Sequence, residues 1–227
     1  MANAESVRAT VPLLDEILGL VRRLVSVLDA REHETEVHSL RVAEYALRLA
    51  AEIDLPPGQR TDLKFGALLH DIGKIGVPDA VLLKPGPLTD EEWEQVRRHP
   101  MIGFQILRDF TFLENAARIV LYHQERFDGS GYPFGLAGDA IPIGARLFAI
   151  VDTFDAMTTD RPYRAAVTYD DVVRELTDQR GVQFDPDFVD AFLRVPADEW
   201  ARIRERDGVS PLVWPSSPPR DAAELAR

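Results

Sequence analysis

Apolar residues recur three and four apart along almost the whole of this chain, and strand signals are scarce. That spacing gathers the apolar side chains on one face of a 3.6-residue turn and restricts the chain to an all-α bundle. It predicts helices over about 33–53, from Thr61 through Leu63, Phe65, Leu68 and Leu69 to His70, and from Thr89 to about Arg108. Others follow over 112–124, from about 142 through FAIVDTFDAM, and near 168–179, 186–194 and 197–206. LPPG at 55–58 ends the first of these, and Thr89 with Glu92 three residues on has the pattern of a capping box. The glycine-rich RFDGSGYPFGLAGD cannot continue a helix and reads as a shaped loop. Ahead of this block, Leu14, Ile17, Val21, Leu24 and Leu28 trace one stripe along 11–30, which either packs on the domain or pairs with a second copy. The 227 residues therefore divide into an N-terminal helical segment (1–30), one substantial domain (31–207) and a proline- and serine-rich tail (208–227) expected to be disordered.

The chain has no cysteine, so disulfides, thiolate sites and cysteine nucleophiles are excluded, and any metal must be held by imidazole and carboxylate. A net charge of −12 argues against extended binding of DNA or RNA, which needs a basic surface facing the phosphates. A small phosphorylated ligand needs only a local cluster of cations and stays open. No apolar run approaches the roughly 20 residues that cross a bilayer, and MANAESVRATVP lacks the features of a secretion signal. The expectation is a cytoplasmic protein with no membrane partner.

The five histidines are His33, His38, His70, His99 and His123. A lone histidine on an apolar helix is usually a satisfied core residue. The doublet His70–Asp71 is harder to place that way, because a carboxylate beside an apolar run is costly without a cation or strong hydrogen bonds. Asp152 repeats the problem behind Phe148, Ala149, Ile150 and Val151, where the alternatives are metal ligation or an ion pair with Arg146 or Arg161. Glu34 and His38 lie four apart and share a helix face, where they either hold a metal or sit in solvent.

These segments, GALLHDIGKIGVPDAVLLKPGPLTDEEW, HPMIG, HQERFDGSGYPFGL and VDTFDAMTTDRPYRAA, resemble in order and interval the HD-GYP family of bacterial cyclic di-GMP phosphodiesterases. The resemblance runs from about residue 34 to 193 and implies an HD-domain helical bundle. It places metal ligands at His38, His70, Asp71, His99, His123 and Asp152, with Glu34 matching an acidic ligand of members able to hold a third metal. Lys74 matches a lysine facing the substrate phosphate, Arg161 and Arg164 match cationic positions at the substrate, and Asp128, Gly129, Gly131, Tyr132 and Pro133 form the loop of the family's name. One position departs: a second histidine is usual after the first, and this chain has Gln124, a poorer ligand for a transition metal.

The resemblance implies two or three divalent metals, iron or manganese, with zinc also compatible with nitrogen and oxygen ligands. A metal pair would activate water for attack on the phosphodiester, with Asp71 bridging and Lys74 at the phosphate. The products would be pGpG and, with a third metal, GMP. His38, His70 and Asp152 are assigned to one metal and His99 and His123 to the other. Gly73 is expected to turn the backbone away from the site, and Tyr132 either stacks on a guanine or serves a plain turn. Arg161 and Arg164 either bind the second phosphate or a guanine edge, or pair with Asp155 or Asp160. The partners are cyclic di-GMP, a second copy through the N-terminal stripe, and signalling proteins. Two other readings fit: a weak or inactive cyclic di-GMP sensor, and a broader HD-type nucleotide phosphohydrolase.

Overall fold

The computed structural model describes residues 37–160 and 165–206, together with residues 19, 21, 23, 25 and 26. The fold is all-α. Ten helices run in chain order among the described residues: α1 (Val37–Glu52), α2 (Pro57–Leu69), α3 (Asp79–Leu82), α4 (Asp90–Val96), α5 (His99–Leu107), α6 (Glu114–Tyr122), α7 (Ile143–Thr158), α8 (Tyr169–Asp178), α9 (Pro186–Arg194) and α10 (Ala197–Arg206). Short 3-10 turns cover Ile72–Gly76, Thr111–Leu113 and Gly138–Ala140. Two isolated bridges, Asp128 with Ala137 and Arg180 with Phe184, are the only β-pairing among the described residues. None of the described helices is long and apolar enough to cross a membrane.

α7 is the central element. Leu147, Phe148, Ile150, Val151 and Phe154 are all buried, as suits a helix packed by α1, α2, α6, α8 and α9 on different sides. α1 crosses it and buries Val42, Tyr45, Ala46 and Leu49. Beyond α1, the rings of Phe192 and Trp200 stack with centroids 4.7 Å apart, and Phe154 meets Phe192 edge-on at 5.2 Å, closing the core with α9 and α10. Val21, a member of the N-terminal stripe, is buried with this core, as is Val25 beside it. Leu14, Ile17, Leu24, Leu28 and the tail 208–227 lie outside the described residues.

Three boundaries differ from the sequence reading, two of them because of a proline. α2 starts at Pro57 instead of near Thr61: LPPG ends α1 but also opens the next helix, since a proline in the first turn has no N–H to waste. The single helix expected from Thr89 to Arg108 is two, α4 and α5, because Pro100 has no N–H to give the Val96 carbonyl. The capping box at the start of α4 is present, Glu92 N donating to Thr89 Oγ1 at 3.3 Å and Thr89 N to Glu92 Oε2 at 2.7 Å. The helix expected over 112–124 is α6, preceded by the turn at Thr111–Leu113.

Gly73 serves close approach, not a change of chain direction. A Cβ built there would lie 1.9 Å from the His99 carbonyl oxygen and 2.5 Å from Gly103 N, so the turn after His70–Asp71 rests directly on the backbone of α5. This contact sets the distance between the doublet and His99. Gly73→Ala must separate the two backbones and is expected to cost about 1–3 kcal/mol, as overpacking does; thermal unfolding of the variant should show a lowered midpoint, and an unchanged midpoint would reject the contact.

Candidate metal centre

Six side chains from α1, α5, α7 and the residues that directly follow α2 and α6 meet at one place. They form two groups, His38 with His70 and Asp152, and Asp71 with His99 and His123, and within each the ligating atoms lie within 4.8 Å of one another. Asp71 faces both: its Oδ2 is 3.0 Å from His70 Nε2, and its Oδ1 is 3.4 Å from His99 Nε2 and 4.0 Å from His123 Nε2. His38 Nε2 is 3.6 Å from Asp152 Oδ1.

The outward nitrogen of each ring fixes its tautomer. Nδ1 of His70, His99 and His123 lies 2.8, 2.8 and 2.7 Å from the carbonyls of Ala67, Val96 and Val120. A carbonyl only accepts, so Nδ1 carries the hydrogen, and in the neutral ring Nε2 presents a bare lone pair to the centre. In each case the carbonyl lies three residues earlier, where a helix ends and leaves acceptors unused. The Val96 carbonyl is the one Pro100 cannot serve. His38 Nδ1 donates to Asp155 Oδ2 at 2.7 Å with the same result.

The lone pairs of His99 and His123 meet, Nε2 to Nε2, at 3.1 Å. Burial lowers the pKa of both, well below the ordinary value for His123, so neither ring carries a proton to share. Two neutral acceptors at that distance repel unless a cation lies between them, and the donor set of imidazole nitrogen and carboxylate oxygen fits a divalent metal. Burial opposes ionisation of Asp71 too, but His70 and Lys74 outweigh it and hold its carboxyl well below the usual range. At His70 burial is likewise outweighed, by the charge and hydrogen bond of Asp71, and its pKa is raised to about 9.

Lys74 Nζ is 2.8 Å from Asp71 Oδ2, with the side chain 18% exposed. It stands at the centre, not at a solvent-exposed helix end. Asp152 is not sealed in the core: its side chain is 29% exposed and lines a cavity of about 290 Å3 with His123, Gln124, Tyr132, Thr153 and Gln183. The alternative ion pair with Arg146 is absent, because Arg146 bonds Asp139 and Asp185. Tyr132 sits in the cavity wall beneath the guanidinium of Arg97, 5.7 Å from the ring centre, and burial and the Asp71 charge push its phenol up to about 12. Its loop is tied down by Glu125, whose buried carboxylate accepts the N–H groups of Phe134 (2.8 Å) and Leu136 (3.0 Å). Gly129 has a positive φ of 85°. Gly131 does not; it is needed because a Cβ would lie 2.3 Å from Arg126 N. Glu34, Arg161 and Arg164 lie outside the described residues.

A family model for the HD domain matches residues 12–188. The cyclic di-GMP phosphodiesterase response regulator RpfG of Xanthomonas campestris is 44% identical over 174 residues, 76% of this chain and 46% of that protein. A cyclic di-GMP phosphodiesterase of Thermotoga maritima is 40% identical over 199 residues, 86% of this chain and 53% of its own. The chain thus spans about half the length of the curated relatives it matches. In fold it is similar to a crystal structure of a cyclic GMP-AMP specific phosphodiesterase of V. cholerae, with TM-score 0.62 and 19% identity over 81% of this chain and 52% of that one.

Sequence reasoning missed the support behind the six residues. Asp155 is buried against α1: it accepts from Arg41 Nε, from Arg41 Nη2 at 2.7 Å and from His38. Asp160 Oδ1 accepts from Ala166 N at 2.8 Å, and the alternative pairing of Arg161 and Arg164 with Asp155 or Asp160 lies outside the described residues. The signal was available, for Arg41 follows His38 by three and Asp155 follows Asp152 by three, which puts each pair on one helix face. Burial opposes ionisation of Asp155, but its hydrogen bonds to His38 and Arg41 lower its pKa. Its contribution is therefore complete above the unfolded carboxyl pKa and is lost as pH falls through the lower folded value. Asp155→Asn leaves the buried Arg41 uncompensated and should cost about 3–5 kcal/mol at neutral pH; chemical denaturation at pH 7 and at pH 3 should show the gap between variant and parent narrowing in acid.

Proposed function

The chain belongs to the HD-domain family and within it to the HD-GYP proteins, and on that premise we propose that it is a metal-dependent phosphodiesterase that hydrolyses cyclic di-GMP to the linear dinucleotide pGpG. One observation carries the reading: two groups of nitrogen and oxygen donors share a single carboxylate, Asp71, whose two oxygens face one group each. His38, His70 and Asp152 would hold one cation, His99 and His123 the other, and Asp71 both. When bound, a pair of divalent cations neutralises phosphate charge and acidifies a water for in-line attack on phosphorus. We assign iron or manganese to these positions.

The chain's own residues do the rest. Lys74 brings an ammonium to the Asp71 side of the centre, where the scissile phosphate would lie. The hydrogens on the four Nδ1 atoms stay engaged by Asp155 and by backbone carbonyls, so the imidazoles orient without exchanging protons with substrate. Tyr132 keeps its phenolic proton at neutral pH and offers a ring for a guanine to stack on. Arg161 and Arg164 would engage the second phosphate. In the reaction one water adds its oxygen to phosphorus, the bond from phosphorus to the 3′ oxygen breaks, and the departing oxygen takes a proton. Further cleavage to GMP would require a third metal; Glu34 would favour one, and Gln124, a neutral amide at an expected imidazole position, works against it.

Gln124 is also the observation that favours the second reading, a sensor that binds without turnover. The test is hydrolysis by protein loaded with manganese, or with iron under reducing conditions, followed through chelation and reloading. We expect cleavage of cyclic di-GMP to pGpG, about two metals per chain, loss of activity on chelation and recovery on reloading. Tight binding without cleavage would replace the hydrolase by the sensor, and a preference for mononucleotides would assign the broader phosphohydrolase. Gln124→His should raise the metal bound per chain; an unchanged count would show that position 124 lies out of a metal's reach.

A further inference from the structure

The side chains around the cavity beside the metal centre have spent their hydrogen bonds unevenly. Arg126 donates to Gln183 at 2.6 Å and Gln179 at 3.3 Å. Ser130 donates to Asp128 at 2.6 Å, and Glu125 is taken by the backbone of its own loop. Arg97 and Gln124 are different. The guanidinium of Arg97 lies over the Tyr132 ring, and among the described residues no carboxylate pairs with it. Gln124 bonds through its backbone carbonyl, which accepts from Tyr132 N at 3.2 Å, and no described residue takes or gives a hydrogen bond at its side-chain amide.

These two groups suit two different purine edges. A guanidinium donates a parallel pair of hydrogen bonds to O6 and N7 of guanine, whereas a primary amide donates to N7 and accepts from the 6-amino group of adenine. The volume, about 290 Å3, is at the small end for ligand sites and suits one nucleoside unit, leaving the other half of a cyclic dinucleotide across the metal groups. Thr153 adds a hydroxyl, donor and acceptor both, that serves either base. Because an amide is a poor ligand for a transition metal, Gln124 is released from the centre next to it to face a substrate.

We infer that Arg97 and Gln124 form one purine-reading subsite, guanine held through Arg97 and adenine through Gln124, so that this enzyme takes cyclic purine dinucleotides of either base. The inference rests on the phosphodiesterase reading of the metal centre and names its substrate class.

The test uses cyclic diguanylate, cyclic diadenylate and the mixed guanylate–adenylate ring with the metal-loaded full chain and with Arg97→Ala, Arg97→Lys and Gln124→Ala. The mixed ring has two scissile bonds, and cutting one or the other yields pGpA or pApG. The ratio of these isomers reports which base occupies the subsite and does not depend on how much of a variant is active. Arg97→Ala should lower kcat/KM for the diguanylate by about tenfold or more and shift the isomer ratio; Arg97→Lys should not restore it, because an ammonium lacks the planar fork. Gln124→Ala should weaken the diadenylate by a similar factor and shift the ratio the opposite way. An isomer ratio that stays put in both variants, or equal losses on all three substrates, overturns the subsite. Dissociation constants measured alongside separate the two readings. Base-selective changes in binding without any cleavage would sink the phosphodiesterase and keep the subsite, and a wild-type protein that binds none of the three would sink both.

Discussion

His70, His99 and His123 each commit Nδ1–H to a carbonyl three residues back, and the rest of the centre follows from that bond. With the outward nitrogen protonated, the inward one of a neutral ring can only be an acceptor. With the carbonyl at a helix end, the ring stands across the end of its helix and points away from it. His70 follows α2, His99 opens α5 where α4 has just ended, and His123 follows α6. Three helix ends therefore deliver three imidazoles to one volume, each locked in tautomer and orientation by backbone alone. Pro100 contributes by what it lacks, since its missing N–H frees the Val96 carbonyl for His99.

The fourth imidazole is fixed differently. His38 lies within the first turn of α1, where the helix offers no unused carbonyl, and its Nδ1 turns to Asp155 on α7. Asp155 also binds Arg41, and Arg41 Nη2 reaches Thr159 at 3.1 Å. Arg204 from α10 donates to the Thr158 carbonyl at 2.7 Å, filling the C-terminal end of α7. The α1–α7 crossing that places His38 against Asp152 is thus pinned by two buried arginines and one buried carboxylate. The arrangement is costly to break and holds the side chains within the tolerance that a metal pair requires.

The helical class and the candidate doublet His70–Asp71 stand out in the sequence because apolar spacing and the cost of a buried carboxylate are local facts. Segment ends were less so: Pro57 and Pro100 stand in a pattern that otherwise continues, and one proline opens a helix while the other splits one. The supporting shell was hardest to see. Arg41 and Asp155 are 114 positions apart, and nothing near either of them in sequence announces the partner; only the matching three-residue offsets from His38 and Asp152 hint that two helix faces meet. Gly73 and Gly131 look like turn residues, and whether a glycine serves a backbone angle or a close contact is decided by elements distant in sequence.

Charge shows why a chain at −12 can still present a site for an anion. Much of its acid is structural: Asp90 and Glu91 in α4, Asp170 in α8, Asp187 in α9 and Asp198 in α10 stand in first turns, where a carboxylate compensates exposed N–H groups and the helix dipole. These groups are exposed, and salt screens exposed charges beyond about 8 Å at physiological ionic strength. Lys74 stands 2.8 Å from Asp71 Oδ2, partly shielded from water, where the same unit charge counts for more, and Arg97, itself exposed, lines the cavity. On the proposed reading, the global charge would govern how often an anionic substrate arrives, while the local cations would govern whether it stays.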